Sequence, residues 1–100
     1  MDSKEFFLQV LTTFTDAKKA EKIQEKFDAQ DWKNYQILVH ALKSTAMSIG
    51  AEKLSEAAKV LELAAKNKDA EKILSNHSDL MATYKKIREE IEKYLSGASI

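Results

Sequence analysis

The sequence holds no proline, and glycine stands only at positions 50 and 97 of its 100 residues. Those two residue types make tight turns and reversed backbone conformations easy. A chain nearly without them has few places to turn sharply, which argues against sandwiches and barrels. An all-α fold is expected. A length of 100 residues supports one hydrophobic core, so a single domain over residues 1–100 is expected as well.

Apolar periodicity divides the chain. Phe6, Phe7, Val10, Leu11 and Phe14 recur at helical spacing after Ser3, a candidate N-cap, and Thr15-Asp16 interrupts them. Ala20, Ile23 and Phe27 form a narrow stripe in a second short helix. Asp31 is placed to cap a third, whose stripe of Tyr35, Leu38, Val39, Leu42, Ala46 and Ile49 runs to Gly50, a residue able to close a helix in the left-handed conformation. Leu54, Ala57, Ala58, Leu61, Ala64 and Ala65 mark a fourth helix, with Asn67 its left-handed terminator. Asp69 caps the last, along which Ile73, His77, Leu80, Tyr84, Ile87, Ile91 and Tyr94 advance in near-heptad steps. Ser75-Asn76 weakens that segment locally, but the periodicity carries through, and 96–99 reads as a frayed tail. Short connections between long helices imply antiparallel neighbours. The expected architecture is an up-and-down antiparallel four-helix bundle with a short extra N-terminal helix.

Charge narrows the function classes. Lys+Arg and Asp+Glu both number 16, and Arg88 is the only arginine. A neutral, arginine-poor chain is a poor candidate for nucleic-acid binding or for a basic membrane-surface helix. The absence of cysteine excludes disulfides, thiolate metal sites and cysteine nucleophiles. No apolar run approaches the ~18 residues of a membrane span, and Met1-Asp2-Ser3-Lys4-Glu5 lacks a signal peptide's basic start. A cytoplasmic monomer is expected.

His40 is the residue that asks for a chemical explanation. The third helix's stripe centres near Leu42, and a step of two residues turns the helix by ~200°. His40 is thereby expected to face solvent, beside Gln36, Lys43, Ser44 and Met47. Glu62 lies twelve residues after Gly50 and His40 ten before it, ~18 and ~15 Å from the turn, so the two are nearly level in an antiparallel hairpin. A carboxylate accepting from Nδ1–H would fix the tautomer and leave Nε2 free and nucleophilic. Lys43, one turn on, places its ammonium near an anion carried on that nitrogen. The plainer alternatives are a surface histidine, a solvated lysine, and a glutamate paired with Lys59 or Lys66. His77, on an apolar stripe, reads as packed or partly buried; Trp32 and Tyr35 read as covering one end of the bundle, and Met81 as core.

The run His40-Ala41-Leu42-Lys43-Ser44, followed by Gly50, Leu54 and Leu61-Glu62, resembles the histidine-containing phosphotransfer (HPt) domain of phosphorelays. The likeness extends from Asp31-Trp32 to the closing helix. It implies a phosphorelay intermediate that accepts a phosphoryl group on His40 from a receiver-domain aspartate and passes it to another receiver. It also implies that Lys43 stabilises the phosphoryl charge, Gly50 permits the turn and Glu62 holds the imidazole. Ser44 stands where glycine is commoner, keeping the position small while adding a hydroxyl within reach of phosphate. A docking face of Gln36, Ile37, Ala41, Ser44, Met47 and Ser48 is expected around the histidine. The partners implied are response-regulator receiver domains and a hybrid sensor histidine kinase, with no nucleic acid and no direct membrane binding. The chain carries no ligand-spaced carboxylates around His40, so it is expected to hold no metal, to lend a nucleophile rather than act as an enzyme, and to meet Mg²⁺ only in the partner receiver. Two other readings remain open: the phosphoacceptor domain of a chemotaxis-type kinase, and a non-phosphorylated helical adaptor.

Overall fold

The structure, a computed structural model, describes residues 3–98, with side chains from 4 to 97. Five helices account for nearly all of it: α1 (Ser3–Phe14), α2 (Ala17–Asp28), α3 (Trp32–Ser48), α4 (Glu52–Lys66) and α5 (Ala70–Ala98). No strand occurs among the described residues. The long dimension of 45 Å is set by α5, whose 29 residues span about 43 Å at the usual rise.

Three of the connections use one device. After α2, the Gln30 N–H donates to the Phe27 carbonyl and the Asp31 N–H to the Lys26 carbonyl; Gly50 and Ala51 repeat the pattern after α3, and Lys68 and Asp69 after α4. This paired closure requires its first donor residue to sit in the left-handed region. Gln30 (φ 55°), Gly50 (φ 76°) and Lys68 (φ 55°) do so. The α4 terminus thus differs from the sequence expectation. Asn67 has an ordinary φ of −88°, and the left-handed residue is Lys68, because the two hydrogen bonds fix which position must reverse.

Acidic side chains start the following helices. Asp16, Asp31 and Asp69 accept from the backbone N–H groups of Lys18, Asn34 and Lys72, satisfying donors that a helix start leaves unpaired. Asp31 also accepts from the Asn34 side chain, and these hydrogen bonds hold its carboxyl below the usual range. The Ser3 cap falls on a side chain outside the described residues. At Ser75-Asn76 α5 continues unbroken. The Ser75 hydroxyl donates to the Glu71 carbonyl and the Asn76 amide to that of Lys72, so both polar groups are spent on the preceding turn. The helix also runs on through Ser96, Gly97 and Ala98, since no proline interrupts the backbone ladder; Ser99 lies outside the described residues.

The buried stripes follow the sequence pattern on α2 to α4 and on α5 as far as Tyr84; beyond it Ile87 and Ile91 are half-buried and Tyr94 is exposed, a correction to the expected stripe. Ile23, Tyr35, Val39, Leu54, Leu61, Ile73 and Leu80 form the innermost layer, interleaved with Ala46, Ala58, Ala64 and Ala65, whose small side chains let helices approach closely. Met81 is half-buried against this core. On α1 only Leu11 and Phe14 are buried, whereas Phe6 and Phe7 are exposed, a correction to the full stripe. Phe14 meets Tyr84 edge-on, its carbonyl accepting the Tyr84 hydroxyl (3.3 Å), while Phe7 lies near Ile91 and Tyr94. As α1 is read backward, α5 is read forward. The start of α1 lies beside the last turns of α5.

One polar chain crosses the core. The Tyr35 hydroxyl donates to His77 Nδ1 (2.8 Å), His77 Nε2–H donates to Gln24 Oε1 (2.9 Å), and the Gln24 amide donates to Asp28 Oδ1 (2.9 Å). His77 is buried, and its ring stacks on Phe27 with 3.7 Å between centroids. Trp32 packs against both Phe27 and Tyr35, but Tyr35 is fully buried rather than a cover. The chain ties α2, α3 and α5 together. It admits one tautomer of neutral His77, because a second ring proton would face the Tyr35 hydroxyl and leave that O–H without an acceptor.

Two predictions follow from these local geometries. Gln30→Gly and Lys68→Gly are each expected to stabilise the protein by about 0.5–1 kcal/mol, because glycine removes the left-handed penalty, and Gly50→Ala to destabilise it by about 1 kcal/mol; its Cβ would meet nothing within 4 Å, so only backbone strain is added. Thermal unfolding checks all three. Burial lowers the His77 pKa below 6.5, against an opposing pull from Asp28. Its contribution to stability is therefore full above pH 6.5 and declines as the pH falls below it, by at most about 1.4 kcal/mol per pH unit. Urea titrations at pH 7 and pH 5.5 are expected to show this decline in the parent and its absence in His77→Gln.

Candidate functional site

Helix α3 displays His40 on its outer side because Tyr35, Val39, Leu42 and Ala46 turn the opposite side into the core. The His40 side chain keeps 58% of its surface exposed. Helix α4 approaches with Leu61 buried, and Glu62, the next residue, reaches the α3 surface with its side chain only 15% exposed. One Glu62 carboxylate oxygen, Oε2, accepts from His40 Nδ1, and the other, Oε1, accepts from Lys43 Nζ at 2.6 Å. The Glu62 partner is thus Lys43, across the hairpin, in place of Lys59 or Lys66 on its own helix.

The electrostatics follow from this arrangement. Burial pushes the Glu62 carboxyl up, but hydrogen bonds from Lys43 and His40 outweigh it and hold the group below its usual value. An ionised Glu62 can only accept, so Nδ1 of His40 carries a proton, and in the neutral ring the lone pair is then on Nε2. Lys43, 23% exposed, does not stand free beside the ring. It is held by the same carboxylate, a detail that spacing along α3 alone does not reveal.

The other residues singled out in the sequence are spread along α3. Ile37, Ala41, Ser44, Met47 and Ser48 are exposed, and Gln36 is half-buried. The Ser48 hydroxyl donates to the Ser44 carbonyl (3.0 Å), and that of Thr45 to the Ala41 carbonyl (3.0 Å). Gly50 closes α3 with its left-handed φ of 76°, which turns α4 back so that Glu62 meets His40. His77 belongs to the buried chain on α5 and takes no part here. Sequence reasoning missed Gln24 as its partner; the one local signal was the four-residue spacing from Gln24 to Asp28, which suits a pair on one helix face. Among the described residues no group of three or more histidine, aspartate or glutamate side chains is placed to hold a metal ion. No described helix is long and apolar enough to cross a membrane.

The family model for the Hpt domain matches residues 9–97, nearly the whole chain and all of the hairpin that carries His40, Lys43 and Glu62. The chain belongs to the Hpt domain family. Comparisons with curated proteins and with solved structures gave no significant match. Hpt domains are helical bundles that act as phosphocarrier modules of two-component phosphorelays, where histidine phosphotransfer links them to receiver domains and kinases.

The shared carboxylate gives two measurable expectations. In ¹⁵N spectra of the imidazole at neutral pH, the parent is expected to hold the His40 proton on Nδ1; Glu62→Ala is expected to shift it toward Nε2, and unchanged ring shifts would contradict the geometry. Because the Glu62 pKa is lowered in the fold, its stabilisation is present above pH 4.5, the ordinary value, and is lost as the pH falls below it. The parent is expected to lose more stability than Glu62→Gln between pH 5 and pH 3, read by urea unfolding.

Proposed function

We propose that this chain is a phosphorelay intermediate in which His40 takes a phosphoryl group from a receiver-domain aspartate and delivers it to another receiver. The observation that carries the reading is the exposed His40 ring with Nδ1 engaged by Glu62. In the forward step the Nε2 lone pair attacks the phosphorus of an aspartyl phosphate in line. The N–P bond forms as the P–O bond breaks, and the aspartate leaves as a carboxylate. The Nδ1 proton stays against Glu62, which offsets the positive charge that the phosphorylated ring acquires. Lys43 then divides its ammonium between Glu62 and the phosphoryl oxygens. Return of the group to a second aspartate is the same step reversed.

Such loose transfers need position and charge neutralisation more than covalent machinery. On this reading the chain is a covalent carrier and not an enzyme, and the Mg²⁺ belongs to the partner receiver. Gln36, Ile37, Ala41, Ser44, Met47 and Ser48 form the docking face, where small side chains let the aspartate approach and Met47 adapts to its shape. The proposed setting is a cytoplasmic monomer, phosphorylated by way of a hybrid sensor histidine kinase. The proposed arrangement is a single domain in which α2 to α5 make an up-and-down antiparallel four-helix bundle with α1 added. The short connections and the level meeting of His40 with Glu62 support that arrangement.

The test is transfer from a panel of phosphorylated receiver domains. His40 is expected to gain an acid-labile, base-stable phosphate, and His40→Ala none. Lys43→Ala is expected to slow transfer by ~10-fold or more, and Ser44→Trp to slow it while leaving the unfolding midpoint unchanged. Labelling from ATP and a kinase catalytic domain, with none from any receiver, would assign a chemotaxis-type phosphoacceptor instead. No label from either source would overturn the reading.

A further inference from the structure

Away from the histidine, a cavity of about 180 Å³ opens between α2 and α3. Phe14, Ile23, Leu42 and Tyr84 make its floor, all of them buried. An apolar cavity of about 150 Å³ is enough to hold benzene, so this one has room for a single ring or a short branched chain. Its wall offers no free hydrogen-bond donor to such a guest: the Tyr84 hydroxyl donates to the Phe14 carbonyl, and the Thr45 hydroxyl to the Ala41 carbonyl. A guest's carboxylate carried into the hollow would lose its water and find no donor there.

The mouth is different. Lys19 and Lys22, three residues apart on α2 and so on one helix face, line it with exposed side chains. Neither forms an ion pair among the described residues. Of the acids a turn away, Glu25 lies beside Lys26, and Asp16 caps α2 while its charge also reaches Tyr84 of the floor. An apolar hollow beneath two unpartnered ammonium groups is complementary to a molecule with an apolar body and one anionic end. We propose that this cavity binds a small apolar carboxylate, an aromatic or short branched-chain acid, with its carboxylate between Lys19 and Lys22.

Ala41 also belongs to the cavity wall and follows His40 in the chain. If the docking face of the proposed function is right, on which this consequence rests, an occupied cavity hinders the receiver and slows transfer.

Titration of the ¹⁵N-labelled full chain with benzoate and 4-methylvalerate tests the site without any phosphate chemistry. Saturable amide shifts at Ile23, Ala41, Leu42 and Thr45 are expected, with a Kd of ~0.1–1 mM. Benzyl alcohol, which lacks the charge, is expected to bind ~3- to 10-fold more weakly. The Lys19→Ala/Lys22→Ala double variant changes only exposed side chains. It is expected to lose the same factor for benzoate and nothing for benzyl alcohol. Absence of saturable shifts with both acids, or binding that ignores the two lysines, overturns the proposal. So does the outcome in which neither acid binds while Lys19→Glu/Lys22→Glu slows phosphotransfer, since the cavity would then receive a partner's side chain. The coupling is read separately, as slower labelling of His40 in the presence of benzoate for the parent but not for the double alanine variant.

Discussion

The register of the α3–α4 hairpin decides what the molecule can do with His40. Each residue of a helix turns the side-chain direction by ~100°, so a slip of one position would carry Glu62 away from the ring or into the core. The register is held from two sides. Gly50, at φ 76°, lets two backbone hydrogen bonds close α3 within three residues, and the buried stripes of both helices lock the rotation about each axis. With rotation and level fixed, one carboxylate meets both a ring nitrogen and an ammonium. The tautomer of His40 and the position of Lys43 are then a single structural fact rather than two.

A second constraint acts across the core. Apolar stripes can pack against one another in several relative rotations at similar cost, because the hydrophobic effect has no direction. The chain from Tyr35 through His77 and Gln24 to Asp28 has direction at every link. A buried polar group left unpaired costs about 1–3 kcal/mol, so arrangements that break the chain are disfavoured by that much per orphaned atom. Its effect is to tie α2 to α3 and α5 in one relative rotation. Phe14 and Tyr84 line the cavity between α2 and α3.

Much of this could be read from the residues in order. The stripes of α2 to α5, the caps at Asp31 and Asp69 and the turn at Gly50 depend on neighbours within one or two turns, and periodicity reports such neighbours directly. The outward direction of His40 has the same local origin. At Ser75-Asn76 the periodicity carries through and α5 is unbroken, with both side chains bonded to the preceding turn. The departures have two origins, missing neighbours in space for α1 and backbone hydrogen bonding at the end of α4. Phe6 and Phe7 keep helical spacing but stay exposed, Phe7 even where it lies near Ile91 and Tyr94. Asn67 suits a left-handed residue, and the paired closure put Lys68 there instead.

The sequence by itself determined that the chain is helical, where four of its helices turn inward, and that one histidine would stand on an outer face. These are consequences of spacing and of side-chain polarity, which act over a single turn. Tertiary structure alone decided that Lys43 is tethered to Glu62, that His77 is a neutral link in a chain through three helices, and that two lysines guard an apolar hollow. Each depends on atoms brought together from separate helices, and the distance between helices is settled by packing, which no one-dimensional pattern encodes.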